Sequence, residues 1–305
     1  MKKQLRIGSR GSKLAVIQAK SVRETLASLH PEIEFERVTV MTTGDKNATI
    51  SLEQLGGEGV FVKELEEALL QKEIDIAVHS LKDMLTTIPE GLRLAVVPQR
   101  ADPRDVLISS AGILGKLPAG ARIGTGSQRR AVQIRALRPD LEICSLRGNI
   151  DTRIKKAFSE DLDGIVMAAA ALIRLDMEDK ITEYLATEEF VPAVGQGALG
   201  IEIRAGDEDT FLVVAPLNDL PTWQCVVAER AFLRTLGGGC RAPIAALGAV
   251  KKRTIGLHGI VSDPEGNRIL RASVIGDTLR PEEIGQALAA KMIALGAAPL
   301  IEKGQ

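Results

Sequence analysis

The chain has 305 residues, which is long for a single hydrophobic core and favours two or three domains. Its formal net charge is −1 with 26% charged residues, so it lacks the strong basicity of a general nucleic-acid-binding protein. No apolar run approaches the roughly 18 residues of a membrane span, and we expect no membrane partner. Gln4, Arg6 and Arg10 interrupt any signal-peptide core, which favours a cytoplasmic location.

The first half of the chain alternates strand patterns with helix patterns, which is typical of α/β layering. Strands are predicted at 5–9, 34–43 and 74–80, and helices at 13–29 and from Phe61 onward. Ser12 is a plausible N-cap of the first helix. Its expected apolar stripe consists of Leu14, Ile17, Val22, Leu26 and Leu29.

From about Val97 the pattern restarts. The stretches VLIS (106–109), ARIGTGSQRR, LEICSLRGNIDTR and DGIVMAAAAL predict three or four further strands, most of which run into helices. The last part of 191–205 predicts a strand that could return the chain to the first domain.

The C-terminal part predicts a small α+β domain. A helix at 221–236 stops at Gly237, which is a good C-cap position. The predicted elements after it are strands in IAALGAV, TIGLHGIVS and RILRASVI, and a helix in PEEIGQALAAKMIAL with a stripe of Ile284, Leu288, Met292 and Leu295.

Polar and cationic side chains follow several predicted strands of the first two regions. Ligands of parallel α/β sheets bind at the carboxyl ends of strands, on the loops that enter helices. Those loops carry Arg10, Ser80, Lys82, Asp83, Thr125, Ser127, Arg129, Arg130, Arg147 and Arg153. Guanidinium groups match carboxylate and phosphate geometry, so a nearly neutral chain with arginines on these loops indicates a small polyanionic ligand. A single surface arginine is usually only a solvated charge. That explanation is less favoured here, because arginines recur at the ends of successive strands.

Asp83 and His79 lie at one of these strand ends. Asp83 is either a helix cap or ion-pair partner beside Lys82, or a carboxylate kept ionised by cationic loops that stabilises a substrate cation or moves a proton. His79 is better interpreted as a hydrogen-bonded strand-end residue than as a catalyst.

Cys240 lies in the stretch LGGGCRAPIA, where three glycines precede a lone cysteine. The chain has no C-x-x-C pair and its three histidines lie far apart, so neither a disulfide framework nor a metal site is expected. Cys144 and Cys225 are interpreted as core residues. Glycines allow the backbone to approach a ligand closely, and no histidine is near in sequence, so a covalent tether fits Cys240 better than a catalytic thiolate.

Taken together and in order, these motifs resemble the porphobilinogen deaminase (hydroxymethylbilane synthase) family over essentially the whole chain. The matching stretches are LRIGSRGSKLA, GGEGVFVKELE, DIAVHSLKDM, DPRD, GTGSQRR, SLRGNIDTR, PAVGQGALGIE, AERAFL and GGGCRAPI. Members join four porphobilinogen molecules head to tail with loss of ammonia, giving hydroxymethylbilane in tetrapyrrole (heme and chlorophyll) biosynthesis. Porphobilinogen is thus the implied small-molecule partner, and the oligopyrrole, with acetate and propionate arms on each ring, is a polyanion.

The resemblance implies roles for particular residues. A dipyrromethane cofactor, made from porphobilinogen, is expected on Cys240 through a thioether, and Asp83 is the implied catalytic aspartate, suited to stabilise the electron-poor azafulvene left when ammonia departs. The implied cofactor-binding residues are Cys240, Lys82, Thr125, Ser127, Arg129, Arg130 and Arg147. The implied substrate-binding residues are Arg10, Ser12, Arg153, Arg174 and Gln196. No metal is implied, and on family grounds the chain is expected to be a monomer.

The implied fold is α/β, with two periplasmic-binding-protein-like α/β domains and a small C-terminal α+β domain. We expect domain 1 at 1–97 with 198–216, domain 2 at 98–197 and domain 3 at 217–305. The sequence departs from the family pattern at Gln54 and Glu58, where lysines are usual, and at Leu85, where proline is usual. Gly126 and Gln128 replace common serine and leucine. These changes bear on efficiency rather than identity.

Two rival functions are a non-enzymatic two-lobed anion-binding module and a thiol acyltransferase that uses Cys240 as nucleophile. The first leaves the glycine-loop cysteine unexplained. The second needs His79 or His258 as a nearby base.

Overall fold

The computed structural model describes residues 2–41, 62–158, 161–237 and 243–302. Its strands are β1 (Gln4–Arg10), β2 (Glu34–Val40), β3 (Ile76–Ser80), β4 (Leu92–Val96), β5 (Asp105–Ser109), β6 (Arg122–Thr125), β7 (Glu142–Ser145), β8 (Gly164–Ala168), β9 (Glu183–Tyr184), β10 (Leu199–Arg204), β11 (Ile244–Lys251), β12 (Thr254–Ser262) and β13 (Ile269–Asp277). Its α-helices are α1 (Lys13–Leu29), α2 (Lys63–Leu70), α3 (Gln128–Leu137), α4 (Ile150–Ala157), α5 (Ala169–Arg174), α6 (Glu208–Val214), α7 (Leu220–Leu236), α8 (Pro281–Ala294) and α9 (Ala298–Glu302).

The chain divides into two compact units, Met1–Ala101 with Gly197–Trp223 and Asp102–Gln196 with Gln224–Gln305. The first unit contains a five-stranded sheet in the order β2-β1-β3-β10-β4. Strands β1, β2 and β3 are parallel, and β10 runs antiparallel to both of its neighbours. The predicted return of the chain near residue 199 is therefore confirmed, because β10 pairs with strands formed more than a hundred residues earlier.

The second unit contains a five-stranded sheet in the order β7-β6-β8-β5-β9 and a three-stranded antiparallel sheet in the order β11-β12-β13. The five-stranded sheet repeats the pattern of the first unit: β6, β7 and β8 are parallel, and β5 runs antiparallel to β8 and β9. These sheets with their helices confirm the α/β class with a C-terminal α+β portion, while the boundaries of the three expected domains stay a prediction.

Local sequence signals account for the start of α1. The Ser12 hydroxyl accepts a hydrogen bond from the backbone N–H of Ala15, as an N-cap should. The buried face of α1 differs from the predicted stripe: Val22 and Leu26 are buried, but Leu29 is 47% exposed and the polar Gln18 is buried. Gln18 is buried because its amide nitrogen bonds the Ser80 hydroxyl at 3.0 Å.

The other predicted elements agree closely in position. Helix α2 begins at Lys63, and the predicted Phe61 lies outside the described residues. Gly237, with a φ of 65°, follows the end of α7. The stripe of α8 is confirmed at Ile284, Leu288 and Met292, which are buried, and is wrong at Leu295, which is 44% exposed.

Apolar side chains fill separate cores in the two units. In the first unit one core lies between the sheet and α1, and a second, which includes Leu65 and Ala77, lies under α2. In the second unit the five-stranded sheet and the three-stranded sheet have their own cores. Each sheet is thus held rigidly by its own packing, which fixes the positions of its strand ends.

Candidate active site

A cavity of about 60 Å³ in the first unit lies at the carboxyl ends of β1 and β3. Its lining includes Arg10 at the end of β1, Ser12 at the cap of α1, and His79, Ser80 and Asp83 at and after the end of β3. In the order β2-β1-β3, these two strand ends mark the point where the chain reverses its direction of winding, which is where α/β sheets bind ligands. The structure therefore brings Arg10 and Asp83 together, as the strand-end reasoning expects, and places Ser12 in the same lining.

Asp83 is placed by a short 3₁₀ turn, Leu81–Asp83, directly after β3. Leu81 is buried and anchors the turn, while Lys82 and Asp83 are half-buried. The Leu81 backbone N–H donates to the Ala198 carbonyl at 3.1 Å, which ties the turn to the segment before β10. Asp83 thus lies on a fixed piece of backbone and lines the same cavity as Arg10.

His79 is a hydrogen-bonded residue of the strand end, as the sequence analysis favours. Its Nε2 lies 2.9 Å from Oε2 of Glu202 on β10, and both side chains are buried. Glu66 of α2 is buried nearby, and its pKa is raised to about 7 by burial and by the negative charge of Glu202, partly opposed by His79. Sequence reasoning missed Glu66 and Glu202, because each is one acidic residue on an otherwise amphipathic segment.

In the second unit, Thr125 and Ser127 form the entry to α3. Thr125 ends β6 and is buried, and its hydroxyl accepts a hydrogen bond from the Ser127 backbone N–H at 3.2 Å. The Ser127 side chain makes no capping bond to α3. Backbone N–H groups at such a helix start favour an anionic group. Gly126 fits this turn closely, since a Cβ there would lie 2.6 Å from the Leu146 carbonyl oxygen.

Arg129 and Arg130 are buried, and both bind one carboxylate that the sequence analysis did not single out, Asp105. Arg129 Nη1 lies 2.7 Å from Asp105 Oδ2, and Arg130 donates to Asp105 Oδ1 through Nε at 2.9 Å and Nη2 at 2.7 Å. Gln196 Nε2 reaches the same Oδ1 at 3.1 Å and the Pro103 carbonyl at 2.7 Å. Asp105 belongs to the DPRD motif. Its role is not visible in the sequence, because only the fold shows that it is buried among these donors.

Arg130, Arg147 and Arg153 share an electrostatic environment. The pKa of Arg153 is lowered by burial, then by the charges of Arg130 and Arg147. Arg153 is half-buried and donates from Nε to the Gly148 carbonyl at 2.7 Å, whereas Arg147 is exposed. Burial also lowers the pKa of Arg130, although Asp105 opposes this. The cluster therefore carries more positive charge than Asp105 neutralises.

Arg174 ends helix α5, which follows β8. It is half-buried, and burial lowers its pKa to about 10. A guanidinium that is desolvated in this way is stabilised by an anion, and this is consistent with the implied substrate-binding role.

The three cysteines have different outcomes. Cys240 lies outside the described residues, as do Gln54 and Glu58. The core interpretation is confirmed for buried Cys225 and is wrong for Cys144, which is only half-buried because β7 is an edge strand of its sheet.

The arginine cluster fits a group with several carboxylates. Arg129, Arg130, Arg147 and Arg153 supply four guanidinium groups, whereas Asp105 supplies one carboxylate in direct contact with two of them. A dipyrromethane with acetate and propionate arms would supply the missing negative charge.

Two family models match the chain in succession. Residues 5–211 match "Porphobilinogen deaminase, dipyromethane cofactor binding domain", and residues 223–294 match "Porphobilinogen deaminase, C-terminal domain". The chain belongs to the porphobilinogen deaminase family. It is accordingly a transferase of tetrapyrrole biosynthesis that acts on porphobilinogen, forms hydroxymethylbilane and contains a dipyrromethane cofactor-binding domain.

Curated relatives agree over nearly the full length. The porphobilinogen deaminase of Syntrophotalea carbinolica is 47% identical over 96% of this chain and 93% of its own. That of Geobacter metallireducens is 48% identical over 97% and 93%, and that of Carboxydothermus hydrogenoformans is 46% identical over 99% and 98%.

Solved structures are similar at a much lower level. The aliphatic sulphonate binding protein SsuA from Escherichia coli is 13% identical with a TM-score of 0.41, covering 77% of this chain and 71% of its own. At these values the similarity says nothing about what this chain binds. Within the described ranges, no single helix is long and apolar enough to span a membrane; one pair, Glu208–Leu217 with Leu220–Leu236, passes that test together but bends by 107°.

Proposed function

We propose that the dipyrromethane cofactor is attached through a thioether to Cys240 and that the arginine cluster of the second unit binds its carboxylates. The observation that carries this proposal is that four arginine side chains cluster around Asp105, whose carboxylate balances one of their charges. Attachment at Cys240 is supported by the glycine-loop motif and by the family, whose first domain is a dipyrromethane cofactor-binding domain. Lys82, Thr125, Ser127, Arg129, Arg130 and Arg147 are the proposed cofactor-binding residues.

Asp83 is the proposed catalytic residue. Positive charge develops on porphobilinogen as ammonia leaves, and a fixed carboxylate at the cavity stabilises that charge at no cost of reorganisation. The same carboxylate is placed to accept a proton and return it, since it lines the cavity together with Arg10 and Ser12. Arg10, Ser12, Arg153, Arg174 and Gln196 are the proposed substrate-binding residues. The cofactor, when bound, supplies the pyrrole carbon to which each new unit is joined.

The wider assignments belong to the same proposal. The chain acts as a cytoplasmic monomer with three domains, at 1–97 with 198–216, at 98–197 and at 217–305. Size-exclusion chromatography with light scattering tests the monomeric state directly, since a dimer would double the mass of 32.6 kDa.

Intact mass spectrometry of the denatured protein tests the attachment. Protein from cells that make porphobilinogen should carry an adduct of two pyrrole units, and the Cys240→Ser variant should lack it. Cys144→Ser is the matched control and should keep the adduct, since this thiol is half-buried on an edge strand. An unmodified wild-type chain would contradict the proposal.

Asp83→Asn tests the catalytic role separately from the attachment. The variant should keep its adduct but lose turnover by about 10²–10⁴-fold, because the amide cannot carry the charge or the proton. Glu90→Gln, on the exposed end of the same loop, should turn over normally. Normal turnover of Asp83→Asn would remove Asp83 from its role.

Arg147→Leu and Arg130→Leu test the arginine cluster. Either change should block cofactor assembly or chain growth, seen as missing adduct or as truncated pyrrole chains by mass. Unchanged kinetics in both variants would remove these two arginines from the proposed cofactor-binding set.

A further inference from the structure

Asp105 is a fully buried carboxylate that accepts hydrogen bonds from three side chains of the second unit. Oδ2 accepts from Arg129, and Oδ1 accepts from Arg130 and from the Gln196 amide. These donors lie 24, 25 and 91 residues away in sequence. One carboxylate therefore joins the start of β5, the first turn of α3 and the segment that precedes β10.

The two adjacent arginines have different surroundings. Arg129 Nη1 also donates to the Val191 carbonyl at 2.7 Å, and Gln133 of the same helix bonds both the N–H and the carbonyl of Val191. Arg129 thus binds the fold through two acceptors. Arg130 instead lies within electrostatic reach of Arg153, whose pKa it lowers.

The segment that carries Gln196 is fixed from a second side. Glu229 of α7 is fully buried, and its two oxygens accept from the backbone N–H groups of Gly195 at 2.8 Å and Gly248 at 2.9 Å. The backbone before Gln196 is thus held at Val191 by α3 and at Gly195 by Glu229. The Gln196 side chain is then oriented by its bonds to Asp105 and to the Pro103 carbonyl.

We propose that Asp105 is a positioning residue of the oligopyrrole site, which uses Oδ2 to hold Arg129 in the fold and Oδ1 to aim Arg130 and Gln196 at the ligand. This inference rests on the proposed function, in which Arg130 and Gln196 bind the pyrrole carboxylates. Both arginines stay in the cofactor-binding set, but Arg129 is also fixed through Val191, whereas Arg130 depends on Asp105 for its direction.

Positioning and simple charge balance make opposite predictions for Asp105→Asn. Removal of a negative charge from a cationic site should strengthen the binding of a polyanion if charge alone matters. An amide, however, has one oxygen and one NH₂ group, so in either orientation its NH₂ group faces Arg129 or faces Arg130 and Gln196. The guanidinium that loses its acceptor is then free to turn away, and binding should weaken despite the gain in positive charge.

The experiment uses full-length protein made in cells that cannot synthesise porphobilinogen, titrated by calorimetry with a synthetic dipyrromethane tetracarboxylate. We expect Asp105→Asn to bind this probe at least about tenfold more weakly than wild type. Asp102→Asn is the matched control from the same motif: Asp102 bonds the Arg104 side chain, and the variant should bind within about twofold of wild type. Equal or tighter binding by Asp105→Asn would overturn the proposal.

Asp105→Glu keeps the charge and moves the carboxylate by one methylene, so it covers the case in which the asparagine variant fails to fold. Charge balance predicts wild-type affinity, whereas positioning predicts a loss of similar size to that of the amide. Arg129→Lys should lower the melting temperature with a smaller effect on affinity, and Arg130→Lys should do the reverse. A reversed order would overturn the division between the two arginines.

The probe has no leaving group and does not need Cys240, so the titration is independent of cofactor attachment. If wild-type protein from porphobilinogen-making cells lacks the adduct, the attachment proposal fails and the Asp105 result still stands. If the adduct is present and Asp105→Asn binds the probe normally, only the positioning role fails.

Discussion

Burial of Glu66 should make the first unit less stable as pH rises toward neutrality. The pKa of this carboxyl is raised from 4.5 to about 7, first by desolvation and then by Glu202. A raised pKa means that the folded state holds a proton that the unfolded state releases between these two values. The stabilising contribution is complete below pH 4.5 and is lost as pH rises to about 7. At 1.36 kcal/mol per pKa unit, the loss between pH 5 and pH 8 is about 2.5 kcal/mol.

Glu66→Gln keeps the shape of the side chain and removes its titration. The variant should therefore be more stable than wild type at pH 8 by about 2–3 kcal/mol, and the difference should shrink to below about 1 kcal/mol at pH 5. Urea unfolding followed by the fluorescence of Trp223, the single tryptophan and a residue of the same unit, measures this. Glu73→Gln, at an exposed position just beyond the end of α2, is the control and should unfold like wild type at both pH values.

Two results would refute this reasoning. If Glu66→Gln and wild type lose stability in parallel between pH 5 and pH 8, Glu66 is not the titrating group. If Glu66→Gln is less stable than wild type at pH 8, the carboxylate is bound by a donor stronger than its repulsion by Glu202.

Two further predictions concern stability at other sites. Burial opposes ionisation of Asp207, but hydrogen bonds from Lys2 and Thr210 outweigh it and lower the pKa to about 2, so Asp207→Asn should remove about 2 kcal/mol that wild type has above pH 4 and loses as pH falls toward 2. An acid titration of circular dichroism should show a flatter curve for the variant; identical curves would exclude this ion pair as the cause. A Cβ on Gly285 would lie 2.2 Å from the Ala228 carbonyl oxygen, so Gly285→Ala should separate α8 from α7 and lower the melting temperature by several degrees, which calorimetry measures. An unchanged transition would mean that α8 shifts at little cost.

Local signals in the sequence predict most elements of the fold but not the elements that depend on distant partners. The cap at Ser12 and the helical periodicity give the bounds of α1 correctly, because each depends only on residues that are close together in the sequence. The sequence pattern does not predict strand β4, because the partner it has among the described strands, β10, lies more than a hundred residues later. Gln18 is buried for a similar reason, since its partner Ser80 is 62 residues away.

The same distinction applies to the site. Arg10 and Asp83 could be predicted to meet, because carboxyl ends of parallel strands lie at one edge of a sheet and this requires only the alternation of strands and helices. Asp105 could not be predicted, because in sequence it is one of two aspartates in DPRD. Asp102 pairs with Arg104, two residues away, whereas the partners of Asp105 come from other elements. Only the fold separates the two.

The repeated sheet order explains why polar residues follow equivalent strands in both units. Strands β1 and β6 hold the same place in their sheets, and so do β3 and β8. Arg10 ends β1 and Ser127 follows β6, while Asp83 follows β3 and Arg174 ends the helix after β8. The first unit thus presents a carboxylate where the second presents a guanidinium. Because a carboxylate stabilises a cation and a guanidinium binds a carboxylate, one sheet architecture offers opposite charges after equivalent strands in each unit taken by itself.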